Sequence, residues 1–563
     1  MNFAILKYLL IFISFSSISF CFPELTENLN INLFDTKLQQ TLNNLKLNID
    51  INSGYSFKHG VASGDPTVDS IILWTRITPS DILNDSGDSV PLFVSISEFA
   101  NFESSKTYSV LTNKNVDYTV KVDIKNLKPN TKYFYFFTTL TGESSRIGYT
   151  KTLPTEDSIL KKMSFSVHSC SNYANGFFTA YAMAPLKKSV DYVIHLGDYI
   201  YEYENGYYTD GTRLNRTHFP NKELFELDDY RQRYASYHED KDLQLSHGDY
   251  PWILVWDDHE VADNSWLRGS VKSRGFDFLK RKQYATQAYF EWLPIRPQNN
   301  DNIKIWRHLN FGKLLDLFMI DTRHYSRDVT DTYDNADYIS SIANKTERTM
   351  MGFDQEYWLY NSLLESDSIW KFIGSQTVVN HVSFESISDV IGKPFEVMNY
   401  DSFDGYTANR DRFIDTIVNN NIQDVILLSG DFHISWVHEI FSNVNEYNME
   451  TGEGSALVEF AVTATSSPTT FPKDFSIEQC YELSELLVSG NTGVIWNEGW
   501  FRGYTEVTAT ENEVIAKYYG VDTNNPEREE FLLATFVVDQ GTNKLRREFS
   551  DAIKYGYIDQ RIL

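Results

Sequence analysis

Short apolar runs that stop at ionisable residues recur from Met163 onward. They are S-F-S-V-H-S-C (164–170), D-Y-V-I-H-L-G-D (191–198), P-W-I-L-V-W-D-D-H-E (251–260), L-D-L-F-M-I-D-T-R (315–323), W-K-F-I-G-S-Q (370–376) and D-V-I-L-L-S-G-D-F-H (424–433). Continuous apolar runs of this length predict strands buried on both faces, as in a parallel sheet. Helical spacing lies between several of them, for example from Phe276 to Leu293 and from Asp354 to Leu364. Strand, helix, strand in this order predicts an α/β sheet, and such sheets bind ligands beyond the carboxyl ends of their strands. The polar ends of the runs are therefore the candidate chemistry: Cys170; Asp198 and Tyr201; Asp257 to Glu260 with Asn264; Asp321 and Arg323; Gln376; Asp431 and His433.

The pattern before residue 156 is different. From 55 to 155 short β-branched and aromatic runs, such as I-I-L-W-T-R and Y-F-Y-F-F-T-T-L, are punctuated by Gly, Pro, Asn and Asp without intervening helices. That spacing predicts a β-sandwich of about 100 residues that packs against the rest of the chain. Within it, L-K-P-N-T-K-Y-F-Y (127–135) looks like the turn and tyrosine corner of immunoglobulin and fibronectin type III modules. Residues 23–54 are Asn- and Leu-rich and predict a loosely docked leader. Met1 to Phe22 carries one lysine, then an apolar stretch with small residues behind it, which predicts a secretory signal peptide, with a signal anchor as the other option. The α/β part is expected over 160–535, with 536–563 as a tail.

The net charge of -27 argues against nucleic acid or an anionic membrane as the main partner. It also means that an anionic substrate would need a local reversal of field, which bound cations supply. Asn84, Asn215 and Asn344 open glycosylation sequons. Of three cysteines, Cys21 would leave with the signal peptide, and Cys170 and Cys480 either pair or have separate roles.

Sorted by chemistry, the strand ends form an oxygen-rich set with one imidazole and one thiolate, which suits hard cations. Two cations need a bridging ligand, and a carboxylate bridges best; Asp198 is the candidate. His259, beside carboxylates, is a candidate general acid, and Arg323 a candidate for a bidentate phosphate contact. The polar, aromatic stretch from Glu204 to Asp249 is expected to roof the site.

The order G-D, D-H-E and G-D-F-H resembles the calcineurin-like metallophosphoesterase pattern, with Asp258 where that pattern has asparagine and Asp431 where it has the first histidine of its last motif. With S-C-S-N-Y (169–173), G-D-Y-I-Y-E-Y (197–203), L-D-D-Y-R-Q-R-Y (227–234) and R-G-Y-T-E-V-T (502–508), the chain resembles the alkaline phosphatase D (PhoD-like) family. The resemblance implies an α/β four-layer metallophosphoesterase sandwich preceded by an immunoglobulin- or fibronectin-III-like β-sandwich. It implies a ferric ion on Cys170, Tyr201, Asp198 and His433, and calcium on Asp198, Asp431, Asn264 and Asp258. The activity implied is secreted hydrolysis of phosphate diesters and monoesters by a metal-activated hydroxide, by a monomer without a nucleic-acid module or a membrane span after signal cleavage. Members of the family commonly carry a twin-arginine signal; Met1–Phe22 has no Arg-Arg pair, so another divalent metal at the Cys170–Tyr201 position stays open. A purple-acid-phosphatase-like enzyme is the rival hydrolase, although its last motif would carry two histidines. An inactive phosphatase-fold adhesion or binding protein is the non-enzymatic rival.

Overall fold

The computed structural model describes residues 33–35, 54–80, 89–298, 303–392 and 397–547. The predicted signal peptide and Asn84 lie outside them, as do nearly all of the leader and residues 548–563 of the tail.

The six apolar runs form strands of two mixed sheets, three in each. Lys162–His168, Tyr192–His195 and Pro251–Leu254 are parallel neighbours within a ten-stranded sheet. Leu315–Met319, Trp370–Gly374 and Val425–Ser429 are parallel neighbours within a seven-stranded sheet. Register aligns their ends: His168 lies opposite His195, which lies opposite Leu254. Met319 likewise faces Gly374, which faces Leu428. The connections that carry the ionisable residues therefore leave each sheet at one level.

The two sheets share a core. Phe165 of the first meets Phe372 of the second at 6.2 Å between ring centroids, and Ile194, Leu317, Ile426 and Phe460 join the same cluster. On the seven-stranded sheet the alternate residues Phe318, Ile373 and Leu427 point the other way. They pack on Leu359 and Leu363 of the helix Phe353–Glu365 and on Phe413 and Ile417 of the helix Thr407–Asn419. The helix Gly275–Trp292 packs against the ten-stranded sheet, with Trp292 5.8 Å from Trp74. Among the described residues no helix is long and apolar enough to cross a membrane.

The N-terminal β-region differs from expectation in one respect: it is not self-contained. Val61–Gly64, Ser70–Arg76 and Thr119–Lys125 belong to the ten-stranded sheet itself. Val61–Gly64 pairs in parallel with the next strand, Ser63 opposite Pro251 and Gly64 opposite Trp252. A four-stranded antiparallel sheet closes over this part around Leu73, Val94, Val122 and Tyr135. Within the 127–135 motif the Tyr133 hydroxyl accepts the Lys128 N–H at 2.8 Å. The seam is polar as well as apolar. Lys121 Nζ donates to the Phe290 and Ile295 carbonyls, and Trp74 Nε1 donates to the Glu291 carbonyl at 2.8 Å.

The boundary at 535 needs correction. It falls inside the strand Phe531–Asp539, which pairs along its length with Glu513–Val521. Beyond it Arg547 grips buried Glu439 through two hydrogen bonds of 2.8 and 2.6 Å.

Candidate metal centre

Gly197 sets the geometry at the end of Tyr192–His195. Its φ is +113°, and a Cβ there would lie 2.4 Å from Asp257 Cβ and 2.5 Å from the Asp257 nitrogen. Only glycine lets these two connections approach so closely. Two backbone bonds then tie the neighbouring turns: Cys170 N–H donates to the Gly197 carbonyl at 3.1 Å and Ser171 N–H to the Asp198 carbonyl at 2.9 Å. Buried Glu260 joins the third connection, accepting the Asp198 N–H at 3.1 Å and the Asp257 N–H at 2.7 Å.

Held this way, Cys170, Asp198 and His433 place ligand atoms within 4.8 Å of one another. Tyr201 joins them, its hydroxyl donating to Asp198 Oδ2 at 2.9 Å and lying 3.0 Å from His433 Nε2. A second group within the same limit is Asp198, Asp258 and His259, and a third is Asp257, Asp258 and Asp431. Asp198 and Asp258 thus link all three. Asn264 Nδ2 donates to the Asp331 carbonyl at 3.0 Å, which turns its amide oxygen away from that carbonyl. Its own N–H donates to Asp258 Oδ2 at 2.7 Å.

Five of these residues, Cys170, Asp198, Asn264, Asp431 and His433, have φ between 44° and 69°. Non-glycine residues pay for the left-handed conformation, and such strain gathers at functional sites where the surroundings over-determine it. At His433 the restraint is visible: its carbonyl accepts from Arg502 at 2.6 Å and from Thr463 at 3.1 Å. Arg502 opens the R-G-Y-T-E-V-T motif, so that motif braces the last ligand of the site.

The electrostatics describe a set of donors short of positive charge. Burial and then Asp198 push the Cys170 thiol well above its usual range, and the same two causes raise the Tyr201 phenol. Burial raises Asp198 too, against the opposing pull of His259. Asp431 is lifted to about 6 by burial despite Arg323. His433 is held down to about 3 by burial and Arg502, which favours the neutral ring with one nitrogen lone pair free. Asp257 Oδ2 and Asp258 Oδ1 are buried without a hydrogen-bond partner. Thiolate, phenolate and unpartnered carboxylate oxygens gathered out of water fit cations that deprotonate and neutralise them.

His259 has the opposite character. Burial would lower it, but Asp258, Glu202 and Asp198 carry it well above its usual value. Its Nδ1 is 2.8 Å from Glu202 Oε2, and its ring lies 4.3 Å from that of Tyr201. Arg323 does not stand where a phosphate contact requires. It is fully buried, and its guanidinium is spent on Asp257, Asp401 and, at 3.0 Å, Asp431. It holds carboxylates in place instead. Gln376 and Asp321 are also braces: Gln376 accepts from Thr322, and Asp321 accepts from Trp256 Nε1 at 2.9 Å. Cys170 and Cys480 are both free and buried.

Sequence reasoning missed three participants. Glu202 lies inside the G-D-Y-I-Y-E-Y stretch, next to Tyr201, and was legible there. Asp401, which binds Arg323 and Arg327, stands in N-Y-D-S without any local signal. Tyr208 comes from the aromatic loop expected to roof the site. Its ring stacks on Tyr201 at 6.1 Å and its hydroxyl is 3.4 Å from His433 Nδ1.

Comparison with known proteins gives the family of the chain. A family described as PhoD-like phosphatase matches residues 165–518, and its N-terminal domain matches residues 46–154. Alkaline phosphatase D of Bacillus subtilis (strain 168) is 33% identical over 513 residues, covering 90% of this chain and 84% of that protein. A solved structure titled "Structure of PhoD" superposes with a TM-score of 0.77 at 31% identity, covering 88% of this chain and 92% of that one.

Proposed function

The chain belongs to the PhoD-like phosphatase family and is a hydrolase of phosphate esters, and on that premise we propose that it is a secreted, two-metal phosphodiesterase and alkaline phosphatase. The observation that carries the reading is the convergence of Cys170, Asp198, Tyr201 and His433 at the ends of strands from both sheets. We also read the two facing sheets with their outer helices as a four-layer sandwich, and the N-terminal β-region as immunoglobulin-like.

In this reading Cys170, Tyr201, Asp198 and His433 hold a trivalent ion, iron by family resemblance. Asp198, Asp258, Asn264 and Asp431 hold calcium, to which oxygen donors are suited. Bound there, the cations supply the charge that a phosphate ester's oxygens need and make a water nucleophilic at alkaline pH. The protein's own residues do the rest. Arg323 keeps Asp257, Asp258 and Asp431 from repelling one another apart. Glu202 fixes His259 through Nδ1, which leaves the Nε2 proton for the departing alkoxide. Export delivers the chain to a calcium-rich medium, and the exposed Asn215 and Asn344 are accessible there.

Metal analysis and a visible spectrum of the secreted protein test the ligand set. A phenolate-to-iron absorption band that disappears in Tyr201→Phe is expected, and a colourless, iron-free, fully active enzyme would remove iron from the proposal. Asp198→Asn is expected to abolish turnover of a chromogenic phosphodiester by a factor above about 10³. Retained activity in that variant would sink the whole site.

A further inference from the structure

The mouth of the site carries tyrosine rings that the metal chemistry does not use. Tyr203 borders His259, its ring 5.2 Å from that of the histidine in an edge-to-face contact. Tyr207 lies 5.2 Å farther along, its ring 5.2 Å from that of Tyr203, and 57% of it is exposed. Lys272 fixes Tyr207, its ammonium 3.9 Å above the ring and 3.0 Å from Glu223.

Tyr333 comes to the same place from the other sheet. It is 60% exposed, yet it has a φ of 67° that a bulky residue rarely adopts. Two hydrogen bonds hold it there: its N–H donates to Asp331 Oδ1 at 2.8 Å, and its hydroxyl donates to Asp263 Oδ1 at 3.0 Å. The Asp331 carbonyl is also the acceptor of the Asn264 amide, so this ring is registered to the metal site. Asp263 in turn donates its N–H to Glu202 Oε1 at 2.7 Å, and Glu202 holds His259, so the Tyr333 ring is tied to the side of the site that His259 marks. Strain held at an exposed aromatic residue calls for a role that packing does not supply.

We propose that Tyr207 and Tyr333, with Tyr203 as floor, form a leaving-group subsite for alcohols bearing a planar ring one sugar-length from the ester oxygen, as in nucleoside 5′-phosphates and their diesters. The spacing supports that length. Tyr203 is nearly buried, so a ring attached directly to the ester oxygen would find no open face. A ring displaced by a sugar reaches the exposed Tyr207. Stacking is tolerant of base identity, so the subsite selects for a ring rather than for a sequence. The inference rests on His259 marking the leaving-group side, as in the phosphoesterase reading above.

The test compares kcat/KM for adenosine 5′-phosphate and ribose 5-phosphate on the metal-loaded full chain, whose leaving alkoxides differ in the base. Calorimetric titration with adenosine, which needs no turnover, runs beside it. The ratio is expected to fall about tenfold in Tyr207→Leu, and again in the double variant with Tyr333→Leu, with adenosine binding weakened in step. Tyr333→Phe, which keeps the ring and loses only the Asp263 bond, is expected to keep most of the preference. An unchanged ratio and unchanged adenosine affinity in Tyr207→Leu would overturn the subsite. Wild-type protein that hydrolyses neither ester would overturn the phosphoesterase reading instead, and the adenosine titration would still decide the subsite.

Discussion

Arg323 turns each nitrogen of its guanidinium to a carboxylate, and its neighbours Asp257, Asp258 and Asp431 belong to the site. A surface arginine that gripped phosphate would, when removed, raise KM and leave the fold alone. A buried one leaves unpaired anions behind, at a cost of about 3–5 kcal/mol. Arg323→Met is therefore expected to lower the chemical-denaturation midpoint strongly, and to lose metal at the same time. A variant with wild-type stability and only a raised KM would return Arg323 to the substrate. The same residue shows the limit of reading side chains singly. D-T-R at a strand end reads equally well as a phosphate clamp or a brace. What decides it is Asp401, 78 residues later in the chain.

At the scale of elements, what was legible was the rhythm of short apolar runs, because parallel strands buried on both faces have nothing else to be. That rhythm gave three strands to each sheet and put Cys170, Asp198, Asp258, Asp431 and His433 at their ends. The connections were harder, since their conformation is set by partners distant in sequence. The left-handed turn at His433 depends on Arg502 and Thr463, and the seat of Tyr208 depends on Tyr201 and His433. The stretch expected to roof the site therefore touches the proposed ligand His433 directly, which polarity and loop length alone could not say. One connection yields a sharp test. Gly197→Ala would put a methyl group within 2.5 Å of the Asp257 backbone nitrogen. The third connection must then shift, so the variant is expected to unfold at lower temperature by several degrees and to lose most of its phosphodiesterase activity. Wild-type melting and turnover would show that the two turns are less tightly coupled than drawn here.

At the scale of the molecule, the N-terminal β-region is tied to the rest through a buried lysine. Burial lowers Lys121 to about 7, against the opposing pull of Asp65 and Glu291, while the unfolded chain keeps it near its usual value of 10.5. Between those two values the unfolded state holds a proton that the folded state has released, so this group's contribution to stability rises with pH. Compared with Lys121→Met, which carries no such proton, the wild type is expected to gain a few kcal/mol between pH 7 and 10 in equilibrium unfolding. Parallel pH profiles of the two proteins would refute the assignment. The shared sheet bears on biogenesis as well. The chain leaves the ribosome, and crosses any membrane, N-terminus first, so Val61–Gly64 emerges with one edge open long before Pro251–Leu254 exists to cover it. An uncovered strand edge invites other chains, so a chain built this way is open to mispairing until its middle third has been made.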